Sequence, residues 1–253
     1  MKIFTENRDR WLTGIGLLLV VIGVGLVDNY TLTWGFLGIF YIIAFDEAMK
    51  LYDIKRKSLY YYAIVLWILA YFYPNPDDLF FIMAIFIGSK LAYTKDRVKR
   101  DLILPFLYPA SGFLYILVLY REYGIEWLFW LLVVVALSDI GAFLVGKSIG
   151  KRAFSKTSPN KTLEGVIGGI IFATIGGSLL SYGMDLVTLE VAIIVSFVTS
   201  LSAVFGDLFE SYLKREAGVK DSGTLLPGHG GVLDRVDGYL FGAIIMVIIA
   251  RAI

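Results

Sequence analysis

The sequence predicts an all-α, polytopic integral membrane protein of about nine transmembrane helices, with a cytoplasmic N-terminus and the C-terminus outside. Three observations predict it. Of 253 residues, 58% are hydrophobic and the mean hydropathy is +0.74, too apolar for an ordinary soluble domain. Apolar runs close to the ~20 residues that a helix needs to cross a bilayer recur along the chain. The basic residues fall almost wholly on one side of those runs.

The first run, 11–27, follows Lys2, Arg8 and Arg10 as a secretion signal would. No small-residue cleavage site follows it and further apolar runs come at once, so it reads as a retained helix. The second run is 31–49. Asp46 and Glu47 at its end fall near headgroup depth and receive no chemical role. The third and fourth, 59–73 and 77–93, are short and are split by the breaker Pro74-Asn75-Pro76-Asp77-Asp78. Tyr60, Tyr61 and Tyr62 read as interfacial anchors. Runs at 102–120, 125–146, 163–182, 186–210 and 236–252 complete the nine.

Numbering the connections from the N-terminus, all of the 23 basic residues except Arg121 and Arg251 lie in the tail, in the even-numbered loops or, for Lys90, at the end of the run that adjoins one. The positive-inside rule places those loops in the cytoplasm. The odd connections are short and acidic and leave no room for an external domain. Polar residues inside the spans become dense only after residue 138, which divides the chain into an N-terminal helical bundle, 1–100, and a catalytic half, 101–253. A net charge of +1 and the lack of basic runs interleaved with aromatics argue against nucleic acid. Without cysteine there are neither disulfides nor thiolate metal sites.

The densest chemistry lies in the eighth connection, 211–237, SYLKREAGVKDSGTLLPGHGGVLDRVD. Charges beside a bilayer persist only in water, in protein or around ions. Acids, bases and glycine backbone together suit metal-assisted phosphoryl or nucleotidyl transfer. Asp207, Glu210, Ser211 and Lys214 share a helix face at i,i+3 and i,i+4 spacing, and Asp234 and Asp237 are i,i+3 on the next helix. Carboxylates in such a set suit a hard cation such as Mg²⁺. Helix capping is the plainer account of Asp234 and Asp237, but Asp207 opposes the dipole at its helix end. His229, the only histidine, reads equally as a ligand contact or a structural residue. Pro227-Gly228-His229-Gly230-Gly231 can expose successive N–H groups to an anion. Asp139 lies deep in span six, where an ionisable group is a functional candidate.

Two further patterns need weighing. Gly141 to Ser148 matches a P-loop in letters only, since its interior is apolar and helical. Ser158 before Pro159 reads as an N-cap, placing a helix start beside Lys161. The glycines at 165, 168, 169, 176 and 177 suit close helix packing. The sequon at Asn160 faces inward and is discarded.

These residues carry a resemblance. Ser211, Leu213-Lys214-Arg215, Lys220-Asp221, Gly223, Leu226 to Gly231 and Asp234-Arg235-Val236-Asp237 resemble the signature of the phosphatidate cytidylyltransferases, and the likeness extends to Ser158–Gly165, Gly206–Glu210 and Asp139. It covers about 135–240; the N-terminal half is similar only in hydropathy. Ala203 departs from it, standing where a small hydroxyl residue is expected.

The resemblance implies transfer of a cytidylyl group from CTP to phosphatidate at the cytoplasmic face of the cell membrane, in a homodimer. It implies Mg²⁺ held by Asp207, Asp221, Asp234 and Asp237, with a second cation such as K⁺. Lys214, Arg215 and Lys220 would join those carboxylates in catalysis. Ser158, Asn160, Lys161, Glu164, Asp139, Ser211, Gly228, His229, Gly230, Gly231 and Arg235 would bind substrate. A related enzyme acting on an ether-lipid phosphate shares this chemistry. A cation-coupled transporter is the alternative of another class, but no inverted repeat relates the two halves.

Overall fold

A computed structural model describes residues 8–94, 100–226, 228 and 230–253. Among them are nine α-helices and no strand: α1 Arg8–Val27, α2 Tyr30–Leu51, α3 Ser58–Phe72, α4 Asp78–Thr94, α5 Ser111–Tyr123, α6 Ile125–Ile149, α7 Leu163–Gly183, α8 Leu189–Glu216 and α9 Leu233–Ala250. Four of them, α2, α6, α7 and α8, are long and apolar enough to cross a membrane, and α3 is a shorter apolar helix. The chain is a membrane protein. His229, Pro227 and the basic stretch 95–99 lie outside the described residues.

Helix ends follow local chemistry. Asn29 caps α2 by accepting the Leu32 N–H at 3.0 Å. Proline at 74 and 76 closes α3 at Phe72 and delays α4 to Asp78. Gly124, at φ +88°, makes the turn between α5 and α6.

The fifth span departs from expectation. In place of a continuous helix over 102–120 there is a 3₁₀ turn, Arg100–Ile103, then an irregular turn, Phe106–Ala110, with Tyr108 extended at φ −150°, ψ 120°. Regular helix starts only at Ser111. Pro105 and Pro109 each lack an N–H and crowd the preceding turn. The 13 residues of α5 rise only about 20 Å at 1.5 Å per residue, too short to cross unaided.

Two compact units divide the chain: Met1–Leu117 with Glu216–Val236, and Val118–Arg215 with Asp237–Ile253. In the first, Tyr41, Phe45, Trp67, Phe106 and Phe113 form an aromatic core. Trp34 and Trp67 each donate an indole N–H to the other's carbonyl, at 3.0 and 3.3 Å. These bonds hold α2 against α3 while both rings stay in an apolar setting.

In the second unit α6 and α7 form a tightly packed pair. A Cβ on Gly141 would lie 3.0 Å from the Gly169 Cα, and one on Gly165 would lie 2.7 Å from the Ala142 carbonyl oxygen. Small residues are what allow the backbones this approach. The core is closed by fully buried Trp130, whose indole donates to Ser196 Oγ at 3.1 Å. Arg251, one of the two basic residues off the common side, forms a two-pronged pair with Glu122, at 2.6 and 3.0 Å.

The α6–α7 contact makes a prediction. A Cβ at Gly169 would strike the Ser138 carbonyl oxygen, a backbone atom that has no cheap way to move. Gly169→Val should lower unfolding free energy by at least about 1–3 kcal/mol, read by thermal unfolding in detergent. Wild-type stability would contradict the packing.

Candidate active site

In the second unit the loop 150–162 carries Lys161 to α8. The loop is braced from both ends. Phe154 N–H donates to the Lys161 carbonyl at 2.7 Å and Leu163 N–H to the Arg152 carbonyl at 2.8 Å. Glu164 accepts the N–H groups of Lys151 and Arg152, at 3.0 and 3.2 Å, and pairs with the Arg152 guanidinium at 2.9 Å. So held, the Lys161 ammonium forms an ion pair with the Asp207 carboxylate on α8. Asp207 also accepts a long hydrogen bond of 3.4 Å from Ser211 Oγ, one turn on.

Gly206 brings α9 to this point. A Cβ there would lie 2.5 Å from the Asp237 carbonyl oxygen and 3.1 Å from the Phe241 Cβ. The Ser202 hydroxyl adds a 3.1 Å bond to the Phe241 carbonyl. Asp207, Asp139 and Lys161 all lie close enough to Asp237 for their charges to act on it. The donor chemistry, carboxylate oxygen throughout, fits a hard divalent ion such as Mg²⁺. Among the described residues, no three acidic side chains converge closely enough to chelate a metal in this arrangement.

In the first unit the cassette forms a closed loop. Leu226 N–H donates to the Gly230 carbonyl at 2.9 Å. Gly228 and Gly230 sit at φ +73° and +82°, where a side chain would be strained. Asp234 Oδ2 gathers the loop: it accepts the Ser222 N–H at 2.9 Å, the Ser222 hydroxyl at 3.0 Å and the Gly231 N–H at 2.7 Å. The capping role is therefore present at Asp234.

A residue without an assigned role completes this loop. Glu47, expected near headgroup depth, is instead only 3% exposed. It accepts the N–H groups of Val232 and Leu233, at 3.0 and 2.7 Å, and the Ser222 hydroxyl at 3.1 Å. In the sequence Glu47 stands beside Asp46 and three residues before Lys50, in the last turns of α2, where an acid carries no signal of depth.

The other expected site residues fall as follows. Ser158 does not cap α7: Thr162 does, accepting the Gly165 N–H at 3.1 Å. The capping hydroxyl must stand at the residue whose backbone is extended just before the helix, and Thr162 has φ −105°, ψ 149°. Ser158 instead turns the loop, donating its N–H to Ser155 Oγ at 3.0 Å, and Asn160 beside it is exposed. Lys214 pairs with buried Glu210 at 2.6 Å. Arg215, Lys220, Asp221, Arg235 and Gly228 are exposed, and so is Asp139. The Gly231 N–H is committed to Asp234, which leaves the amides of Gly228 and Gly230 as the loop's described candidates for an anion. Ala203 is buried, 3.5 Å from where a Cβ on Gly238 would lie.

With this geometry in hand, residues 8–253 match the cytidylyltransferase family. A phosphatidate cytidylyltransferase of Helicobacter pylori strain J99 is 46% identical over 96% of this chain and 91% of its own length. One from Staphylococcus haemolyticus is 32% identical over 92% of this chain and 95% of its own. A Bacillus subtilis protein of the same name is 43% identical over 47% of the chain.

Proposed function

The chain belongs to the cytidylyltransferase family, and from that premise we propose that it is a phosphatidate cytidylyltransferase of phospholipid biosynthesis. It transfers a cytidylyl group from CTP to phosphatidate, giving CDP-diacylglycerol and pyrophosphate. A phosphate oxygen of the lipid attacks the α-phosphorus of CTP. A new P–O bond forms, the bond from the α-phosphorus to the bridging oxygen breaks, and pyrophosphate leaves with that electron pair. The observation that carries this reading is the near full-length match to relatives of that activity.

The lipid phosphate is already anionic at neutral pH, so the site needs no strong base. It needs two mutually repelling anions held in line. The braced ammonium of Lys161 serves that purpose, since its loop is fixed before substrate arrives. Arg215, Lys220 and Arg235 are proposed to bind phosphate oxygens. Lys214, tied to Glu210, is proposed to set the local field instead.

Asp207 and Asp237 are proposed as ligands of Mg²⁺, and Asp221 and Asp234 as metal ligands on the cassette. Bound there, the ion would draw charge from the triphosphate. A second, monovalent cation such as K⁺ belongs to the same proposal. So do the nine-span topology with the reaction on the cytoplasmic face, which the basic-residue pattern supports, and a homodimer.

The test is direct. Purified protein given CTP labelled in its cytidine and phosphatidate vesicles should form a lipid-soluble cytidine product and equimolar pyrophosphate. Product with an ether-lipid phosphate alone would change the substrate, and no lipid product from either would sink the reading.

A further inference from the structure

We propose that Glu47 is a positioning residue for the transfer reaction, orienting the Asp234 carboxylate through Ser222. The inference rests on the functional reading above, since it presumes that Asp234 works in that reaction. Three groups lie in series. The Ser222 hydroxyl stands 3.1 Å from Glu47 Oε2 and 3.0 Å from Asp234 Oδ2, so two carboxylates divide one hydroxyl hydrogen. Ser222 adds its own N–H to Asp234 at 2.9 Å.

Glu47 is itself fixed from the far side. The N–H groups of Val232 and Leu233, the two residues just before Asp234, both point at it. One buried side chain on α2 therefore sets both the start of α9, which carries Asp234, and the hydroxyl that Asp234 accepts.

The surroundings are shaped to this carboxylate. A Cβ on Gly223 or on Gly231 would collide with Glu47 Oε1. The loop backbone thus closes on Glu47 from two sides, 175 residues and more away in sequence. A buried carboxylate is costly unless its lone pairs are met by donors, and here three hydrogen bonds reach Glu47. Ser222 is only 7% exposed. The Glu47–Ser222 half of the bridge is thus buried, which narrows the geometries it can take. Groups that orient a metal-binding or catalytic carboxylate typically govern its strength about 10- to 100-fold.

The experiment compares Glu47→Gln and Ser222→Ala with the wild-type chain in detergent. Gln keeps the shape of Glu47 but turns one acceptor into a donor, against donors already aimed at it. Ser222→Ala removes only the hydroxyl. In each, kcat should fall, by about 10- to 100-fold for Glu47→Gln, with the KM for CTP within about threefold. The Mg²⁺ concentration for half-maximal rate should rise. A second readout uses Mg²⁺ alone: the rise in unfolding midpoint on adding it, a measure of binding to the folded state, should shrink in both variants.

A purely structural role predicts otherwise: a lower unfolding midpoint with wild-type kcat and Mg²⁺ requirement in the folded fraction, and that result overturns the proposal. Should Glu47→Gln fail to fold, Ser222→Ala decides by the same two criteria. An inactive wild-type protein would overturn the functional reading, and the Mg²⁺ shift measured without substrate would still decide whether Glu47 acts on Asp234.

Discussion

Asp207→Asn is expected to lower cytidylyl transfer about 10³-fold while leaving the protein folded. Asp207 accepts the Lys161 ammonium, stands near enough to act on Asp237, and faces α9 where Gly206 allows the backbones to meet. The amide keeps the shape and removes the charge. If Asp207 holds a metal, the loss is that of transition-state charge stabilisation, several kcal/mol, and about 4 kcal/mol corresponds to three decades in rate. If it serves only to anchor Lys161, then Lys161→Ala should cost as much as Asp207→Asn. The two explanations separate on that comparison, made at saturating CTP and over a range of Mg²⁺. A rate within tenfold of wild type for Asp207→Asn would remove Asp207 from the reaction.

How far the sequence could be read depended on whether the signal was local. Helices α2, α6 and α7 follow from long, mostly apolar runs, and their limits fall within three residues of those expected. The fifth span failed because hydropathy counts side chains, whereas Pro105 and Pro109 act through missing N–H groups. Ser158 was chosen over Thr162 for a similar reason. Both are hydroxyls near a helix start, and Ser-Pro is a strong pattern. The bond that decides between them, from the Gly165 N–H, depends on the backbone angles of one residue.

The site divides along the same line. Asp207, Lys161 and Asp234 stand out in the sequence as candidates because charged residues are out of place beside apolar runs. Their partners were not. Lys161 and Asp207 lie 46 residues apart, and nothing in spacing couples a loop lysine to a helix aspartate. Glu47 is the sharper case. It reads as an unremarkable acid at a helix end, and only the return of residues 222–233 upon it reveals a buried acceptor. Long-range closure of a loop leaves no periodic trace in a sequence.

Asp234 yields the other large effect, and here the loop bonds separate charge from architecture. Asp234→Asn should lower the rate at least 10²-fold with little change in unfolding midpoint. An amide oxygen in the place of Oδ2 can still accept the Ser222 N–H, the Ser222 hydroxyl and the Gly231 N–H, so the loop survives while the negative charge is lost. Asp234→Ala removes the acceptor as well. The N–H groups of Ser222 and Gly231 then lose their partner, while the Ser222 hydroxyl keeps Glu47, and each unsatisfied buried donor costs about 1–3 kcal/mol. Water reaches part of this loop, so about 2–4 kcal/mol in all is the expected destabilisation. The Ala variant should therefore be both inactive and less stable, and the Asn variant inactive only. Equal stability of the two would mean that the Oδ2 bonds do not hold the cassette together. Wild-type rate in the Asn variant would mean that the Asp234 charge takes no part in the transfer, leaving capping as its whole role.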